Sequence, residues 1–248
     1  KMYKWSEKLG LALKSGIDLP NEVESIVPST EWKQKRYNER WYPGETISVA
    51  IGQGQLSVTP MSMAVMMSTV ANGGTRFIPH LLKAVDEGKG WQPVQPPAPR
   101  SRVQLKPATI SALHDGLYLV VNGAGTGGRA RIPGKDVSGK TGTAQVISLQ
   151  GGKKAQGRTD RDLRDHGWFV FFAPRDNPEI AGAIFGEHNE HGSTSAPIAK
   201  YVMETYFNKK EGKPLPKLSM PTPVPTPEPD EPPAPQPAVV ESQPRTGA

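Results

Sequence analysis

The chain carries the segment Ser138-Gly139-Lys140-Thr141-Gly142-Thr143-Ala144-Gln145, which the β-branched residues Val146 and Ile147 follow. β-branched side chains favour an extended strand. A lysine, two threonine hydroxyls and glycines without side chains on one extended segment would form a strand edge that binds anions. We therefore predict a strand over residues 136–147, with Lys140 pointing into an open groove.

The same region also fits a phosphate-binding loop, because residues 134–141 match the pattern G-x-x-x-x-G-K-[ST]. That loop needs an apolar strand before it and a helix N-terminus after it, whose amides hold the phosphate. The preceding residues 129–133 make a poor buried strand, and Gly142 with β-branched residues follows. The pattern therefore disfavours a nucleotide site. A plain glycine-rich turn that enters a strand is a third interpretation.

The C-terminal region differs in composition from the rest of the chain. From Lys213 to Ala248, 12 of 36 residues are proline. Proline lacks an amide donor and has a restricted φ, so this segment cannot form the interior of a helix or sheet. We predict one folded unit over residues 1–212, and a disordered, partly polyproline-II tail over residues 213–248.

The charge and cysteine content limit the classes of function. The 248 residues carry a net charge of +6, which suits an anionic partner. No nucleic-acid-binding module is recognisable, and acidic residues interrupt the basic cluster at Lys153, Lys154, Arg158, Arg161 and Arg164, so we expect no nucleic-acid partner. The absence of cysteine excludes disulfides, thiolate catalysis and thiolate metal sites.

The sequence pattern of the N-terminal half predicts helices and one strand. A helix end is expected over residues 1–13, and residues 46–51 alternate like a strand, with Ile47, Val49 and Ile51 on one face. Thr59-Pro60 is a typical helix start, and a second helix begins near Pro107. The predicted buried stripes of these two helices are Met63, Met66, Met67 and Val70, and Ile110, Leu113, Leu117, Val120 and Val121.

The C-terminal half predicts a sheet. We call residues 138–145 the lysine segment. A continuous apolar run at residues 168–172 follows it, and a third strand is predicted at residues 180–185. The short turn between these two strands favours an antiparallel hairpin. The apolar run should be covered on both faces. A final helix, capped by Ser195 or a neighbouring hydroxyl, should bury Ile198, Val202, Met203 and Tyr206. The expected fold class is α/β (α+β), an antiparallel sheet flanked by helices.

With these elements placed, the chain resembles the class B penicillin-binding proteins of the elongation type (the penicillin-binding protein 2 family), which are peptidoglycan D,D-transpeptidases. The resemblance covers residues 1 to about 208. It depends on several sequence blocks in the expected order, at residues 16–20, 31–37, 41–46, 51–54, 59–60, 71–74, 139–145 and 164–168.

The resemblance implies the penicillin-recognising serine-transpeptidase fold and three catalytic elements, which are Ser-x-x-Lys, Ser-x-Asn and Lys-Thr-Gly-Thr. Only the third occurs in this chain, at residues 140–143. The chain also begins with Lys1, inside a predicted helix. We therefore expect a fragment that lacks the N-terminal part of the domain and its nucleophile, and that is inactive alone.

The resemblance also implies roles for the lysine segment. Lys140 and Thr143 would be catalytic, Lys140 as a cation between the two serines and Thr143 as an oxyanion donor through its amide. Thr141, Gly142, Thr143 and Gln145 would bind the substrate. No cofactor and no metal are expected.

The implied partners are peptidoglycan stem peptides and β-lactams, together with RodA, a glycan polymerase of the SEDS type, contacted through regions outside this chain. The implied location is the periplasmic face of the bacterial inner membrane, reached through an anchor upstream of this chain.

Histidines suggest two further sites. His188 and His191 have the spacing of a metal pair, but glycines flank them and no third ligand is evident, so a loop is the preferred interpretation. His166 beside Asp165 could be a base with its orienting carboxylate, although packing at a loop end is preferred. A hypothesis from another class is a non-catalytic module that binds anionic ligands through its Lys-Thr-Gly strand.

Overall fold

The structure is a computed structural model and describes residues 1–146 and 163–217. Its helices are α1 (Met2–Leu9), α2 (Thr30–Tyr37), α3 (Pro43–Ala50), α4 (Pro60–Ala71), α5 (Pro107–Asn122) and α6 (Gly192–Lys210), with a 3₁₀ turn at Gly128–Ala130. Its strands are β1 (Thr75–Arg76), β2 (Ala84–Val85), β3 (Gln92–Pro93), β4 (Ser101–Arg102), β5 (Ser138–Ala144), β6 (His166–Ala173) and β7 (Ile180–Gly186).

The chain divides into two compact units, Lys1–Pro216 and Lys217–Ala248. The second unit, which includes most of the predicted tail, lies outside the described residues apart from Lys217. The end of the predicted lysine strand at residue 147 and most of the basic cluster around residues 153–161 also lie outside them. None of the described helices is both long and apolar enough to cross a membrane.

The main sheet has three antiparallel strands in the order β5-β6-β7. Lys140 of β5 lies opposite Val170 of β6, and Val170 lies opposite Ala183 of β7. The predicted strands and the antiparallel hairpin between β6 and β7 are therefore confirmed. Within residues 1–146 and 163–217, β5 pairs with β6 alone, so it is an edge strand with one free side.

Side chains of β6 point alternately into two apolar layers, one on each face of the sheet. Phe169 and Phe171 pack with Met203 and Phe207 of α6, whereas Val170 and Phe172 pack with Met67 and Ala71 of α4. Burying one such aromatic side chain contributes about 1.5–3 kcal/mol. The prediction that both faces of the apolar run are covered is confirmed. Because β5 is hydrogen-bonded to β6, the strand between the two apolar layers, this packing also fixes the position of β5.

The predicted strand at residues 46–51 is wrong, because these residues belong to α3 and its C-terminal cap. Pro43 is suited to the first helical turn. Glu45 Oε2 accepts a hydrogen bond from the Tyr42 N–H at 2.7 Å, which satisfies one free amide at the helix start. Ile47 and Ile51 are 68% and 70% exposed, so their alternation does not mark a buried face.

The predicted start of the last helix is also wrong. The helix α6 begins at Gly192 with His191 as its N-cap, and Ser195 lies within it, fully buried. The Ser195 hydroxyl donates to the Gly167 carbonyl at 3.0 Å, so it ties α6 to β6 and does not cap the helix.

The buried faces of the long helices differ in part from the predicted stripes. In α6, Met203 is buried as predicted, but Ala196, Ala199 and Phe207 replace the exposed residues Ile198, Val202 and Tyr206. In α5, Val121 is buried, Leu113 is exposed, and the buried His114 approaches the Val70 carbonyl at 3.1 Å. In α4, Met67 is in the core, with Met63 packed against it and half-buried. The sequence correctly predicts that these segments are helices. Packing against neighbouring elements decides which side of each helix is buried.

Candidate active site

The free edge of β5 presents the backbone of alternate residues. In an antiparallel strand, the N–H and C=O of one residue face the same neighbour, and those of the next residue face the opposite side. Thr143 and Gln145 make backbone contacts away from β6, with the side chain of Gln53. The free edge therefore carries the amides and carbonyls of Thr141, Thr143 and Gln145, whereas Lys140 and Gly142 face β6.

Lys140 is an exposed cation at this edge. Its ammonium group donates a hydrogen bond to the Thr141 carbonyl at 2.6 Å. The lysine lines an open cleft of about 560 Å³, together with Ile51, Thr126, Thr141, Gly142, Thr143, His191, Gly192 and Ser193. Four of the five predicted site residues, from Lys140 to Thr143, thus share one cleft, and the fifth, Gln145, lies further along the same edge.

A hydroxyl pair forms part of the cleft wall. The side chains of Thr126 and Thr141 share a hydrogen bond of 2.6 Å between their Oγ1 atoms. Sequence reasoning missed Thr126, because it lies in the glycine-rich segment 123–128, which is typical of a flexible connector. A single hydroxyl residue among glycines was the available signal, and only the folded chain places it beside Thr141.

The N-terminus of α6 also reaches the cleft, through His191, Gly192 and Ser193. A helix N-terminus carries a partial positive charge. This partial charge, together with the Lys140 ammonium group and the hydroxyls of Thr126 and Thr141, makes the cleft favourable for a carboxylate.

Gly142 is half-buried and lies opposite Trp168 of β6. A Cβ atom at this position would lie 3.4 Å from Trp168 Cβ, which is on the paired strand. This is an ordinary van der Waals distance, so the packing of Trp168 does not by itself require a glycine here.

His166 is held by the loop after β7. Its Nδ1 accepts a hydrogen bond from the His188 N–H at 2.9 Å, and the two rings lie 4.7 Å apart. The Asp165 carboxylate instead accepts from the Val146 N–H at 3.2 Å. The described contacts of Asp165 therefore do not orient His166 as a base. Among residues 1–146 and 163–217, no cluster of three metal-ligating side chains occurs.

The phosphate-loop pattern is not followed by a helix. Lys140 and Thr141 lie within β5, which continues as a strand to Ala144. The amides at a helix N-terminus, which a phosphate loop requires, are therefore missing directly after this motif.

Comparisons with known proteins agree with this arrangement. Residues 1–204 match the penicillin binding protein transpeptidase domain family. The chain is 36% identical over 217 residues to the peptidoglycan D,D-transpeptidase MrdA of Acinetobacter baumannii, covering 87% of this chain and 32% of that protein. It therefore spans about a third of the length of this curated relative.

Solved structures show the same likeness. The crystal structure of Pseudomonas aeruginosa PBP2 in complex with WCK 5153 is 35% identical with a TM-score of 0.70, covering 86% of this chain and 44% of that one. PBP2 of Helicobacter pylori in complex with MreC is 30% identical with a TM-score of 0.64, covering 84% of this chain and 36% of that one. The chain thus belongs to the penicillin-binding protein transpeptidase family.

Proposed function

We propose that this chain forms the Lys-Thr-Gly side of the active site of a peptidoglycan D,D-transpeptidase, which cross-links stem peptides by serine acyl transfer and is acylated by β-lactams. The observation that carries the proposal is the exposed Lys140 beside Thr141 and Thr143, on a free strand edge that lines an open cleft. In the family, such a strand faces the nucleophilic serine.

The reaction proceeds in two acyl transfers. The serine oxygen attacks the carbonyl of the penultimate D-alanine, the peptide bond breaks, and the terminal D-alanine leaves with a proton on its new amine. An amine of a neighbouring stem peptide then attacks the ester carbonyl. This second step forms the cross-link, and the serine regains its proton.

The residues of β5 have distinct parts in this chemistry. The Lys140 cation stabilises negative charge that develops on the attacking oxygen and attracts the terminal carboxylate of the substrate. The hydroxyls of Thr141 and Thr143 donate hydrogen bonds to that carboxylate. The Thr143 amide supplies one oxyanion donor, and the amide of the nucleophilic serine supplies the other. Loss of one such donor costs about 3 kcal/mol of transition-state stabilisation.

The proposal includes a place in the cell and a partner. We place the complete protein at the periplasmic face of the inner membrane, beside RodA, a glycan polymerase of the SEDS type. We expect this contact to use parts of the protein outside these 248 residues. The complex of Helicobacter pylori PBP2 with MreC shows only that a relative of this chain binds a protein partner.

The test is acylation of the complete protein by a fluorescent penicillin. Lys140→Ala should remove most of the acylation and leave the circular dichroism spectrum unchanged, because the lysine is an exposed charge on a strand edge. Lys83→Ala, at an exposed position before β2, is the matched control and should acylate at the parental rate. Parental acylation by Lys140→Ala would overturn the assigned role. Reversible binding of the penicillin without acylation would favour a non-catalytic module that binds anions.

A further inference from the structure

The side chain of Gln53 occupies part of the free edge of β5. Its Nε2 group donates to the Thr143 carbonyl at 3.0 Å, and its Oε1 accepts from the Gln145 N–H at 3.3 Å. Gln53 is distant in sequence from both partners, in the loop between α3 and α4. One carboxamide therefore pairs with two neighbouring backbone groups of the same edge.

These two contacts are the ones that an added strand would make. A strand edge offers unpaired N–H and C=O groups to any extended peptide. The primary amide of Gln53 has a donor and an acceptor side by side, so it imitates the backbone of such a peptide. The contact covers Thr143 O and Gln145 N and does not involve the Thr143 N–H, which is the proposed oxyanion donor.

The backbone around Gln53 is held at the C-terminal end of α3. The Gln53 N–H donates to the Ser48 carbonyl at 2.8 Å, and the Gly52 N–H donates to the Val49 carbonyl at 3.1 Å. Gly52 and Gly54 have φ values of 78° and 75°, in the left-handed region that favours glycine. The loop therefore presents the Gln53 side chain to β5 from a defined position.

We propose that Gln53 is a specificity-determining group that covers the substrate edge of β5 and exchanges with the incoming peptide. This inference rests on the proposed function. A ligand that carries an amide N–H can replace the Nε2 group at the Thr143 carbonyl, so that this acceptor remains paired. A ligand without such an N–H does not need to displace Gln53 and gains nothing from its departure. Gln53 therefore competes with ligands that carry a backbone-like amide and lowers their rate relative to ligands without one.

The experiment compares second-order acylation rates of the complete protein with benzylpenicillin, which has an amide side chain, and with penicillanic acid, the bare penicillin nucleus without a nitrogen substituent beside the β-lactam carbonyl. Gln53→Ala should speed acylation by benzylpenicillin about two- to tenfold, the range that corresponds to the net value of one neutral hydrogen bond. The rate with the bare nucleus should not change. Gln55→Ala, two residues along the same loop, is the matched control and should leave both rates unchanged.

A second variant and a second measurement distinguish the loss of the Gln53 contacts from misfolding of the variant. Gln53→Glu keeps the shape and an acceptor for the Gln145 N–H, but it cannot donate to Thr143 O when ionised, so it should also speed acylation by benzylpenicillin. Hydrogen exchange over residues 143–146 should become faster in Gln53→Ala and should be less affected in Gln53→Glu.

The outcomes separate the two proposals. If the parent acylates and Lys140→Ala does not, but both Gln53 variants acylate benzylpenicillin at the parental rate or more slowly, the inference about Gln53 is overturned and the proposed function stands. If the parent protein does not acylate at all, the proposed function itself is overturned.

Discussion

Gly192, the first residue of α6, packs directly on the backbone of Gly142 in β5. A Cβ atom on Gly192 would lie 2.6 Å from both the nitrogen and the oxygen of Gly142, and it would also collide with the Trp168 carbonyl. Real Cβ atoms do not approach backbone atoms so closely. The absence of a side chain at Gly192 therefore allows the N-terminus of α6 to lie against the strand that carries Lys140.

We predict that Gly192→Ala destabilises the protein by about 1–3 kcal/mol, the usual cost of an overpacked site. The helix must move away from β5, so the cleft beside Lys140 should also be disturbed. Urea unfolding measures the stability. The matched control is Gly116→Ala in α5, where a Cβ meets open space. This variant should gain about 0.5–1 kcal/mol, because alanine is the better helix former. Equal stabilities of the two variants would contradict the packing argument.

We predict that Thr126→Val lowers the rate of acylation by a labelled penicillin several-fold in the complete protein. Valine has nearly the same shape as threonine but cannot share the 2.6 Å hydrogen bond with the Thr141 hydroxyl, which then loses its fixed orientation. Thr109→Val, at the exposed start of α5, is a control of the same type. An unchanged rate in Thr126→Val would mean that the Thr141 hydroxyl does not need this partner.

We predict that the 248-residue chain by itself forms no covalent adduct with a labelled penicillin. Its sequence contains no Ser-x-x-Lys, so the nucleophile of the family is missing from these residues. Intact-mass spectrometry after incubation with excess penicillin measures the adduct. A stable adduct with one penicillin per chain would show that another side chain serves as nucleophile.

We predict that ATP with Mg²⁺ does not bind to residues 134–141, although they match the phosphate-loop pattern. The motif runs into β5, so no helix N-terminus follows that could hold a phosphate. The amide resonances of this segment should not shift during a nucleotide titration. Saturable shifts at micromolar nucleotide would support the phosphate loop after all.

We predict that the contribution of Glu45 to stability depends on pH. Lys33 is 4% exposed and its ammonium group lies 2.7 Å from the Glu45 carboxylate. The hydrogen bond from Lys33, followed by that from the Tyr42 N–H, lowers the pKa of Glu45 below its ordinary value of 4.5. A carboxyl group with a lowered pKa in the folded state stabilises the protein above its unfolded pKa and loses this effect as the pH falls.

The measurement is the melting temperature of the parent and of Glu45→Gln between pH 7 and pH 3. Glu45→Gln should melt at a lower temperature than the parent near neutral pH, and this difference should shrink below pH 4.5. The control is Glu87→Gln in the exposed turn between β2 and β3, for which we expect a small difference at every pH. A difference for Glu45→Gln that is independent of pH would show that its charge does not contribute.

Local sequence patterns were sufficient for the strands of the main sheet. The apolar run at residues 168–172, the β-branched residues after Lys140 and the short turn before Ile180 each determine structure over a few neighbouring residues. The same reasoning failed at residues 46–51, where alternating apolar residues suggested a strand. There Pro43 and the contact between Glu45 and the Tyr42 amide stabilise a helix start, and Ile47 and Ile51 stay exposed.

The sequence by itself determined the identity of the lysine segment and the family it indicates, because the order of residues in Lys140-Thr141-Gly142-Thr143 is a local chemical signature. Only the tertiary structure decided which distant residues join this segment at the cleft. The sequence could not place Gln53, Thr126 and Gly192 beside this segment, because their contacts with β5 exist only when separate loops and the start of α6 fold onto one strand edge.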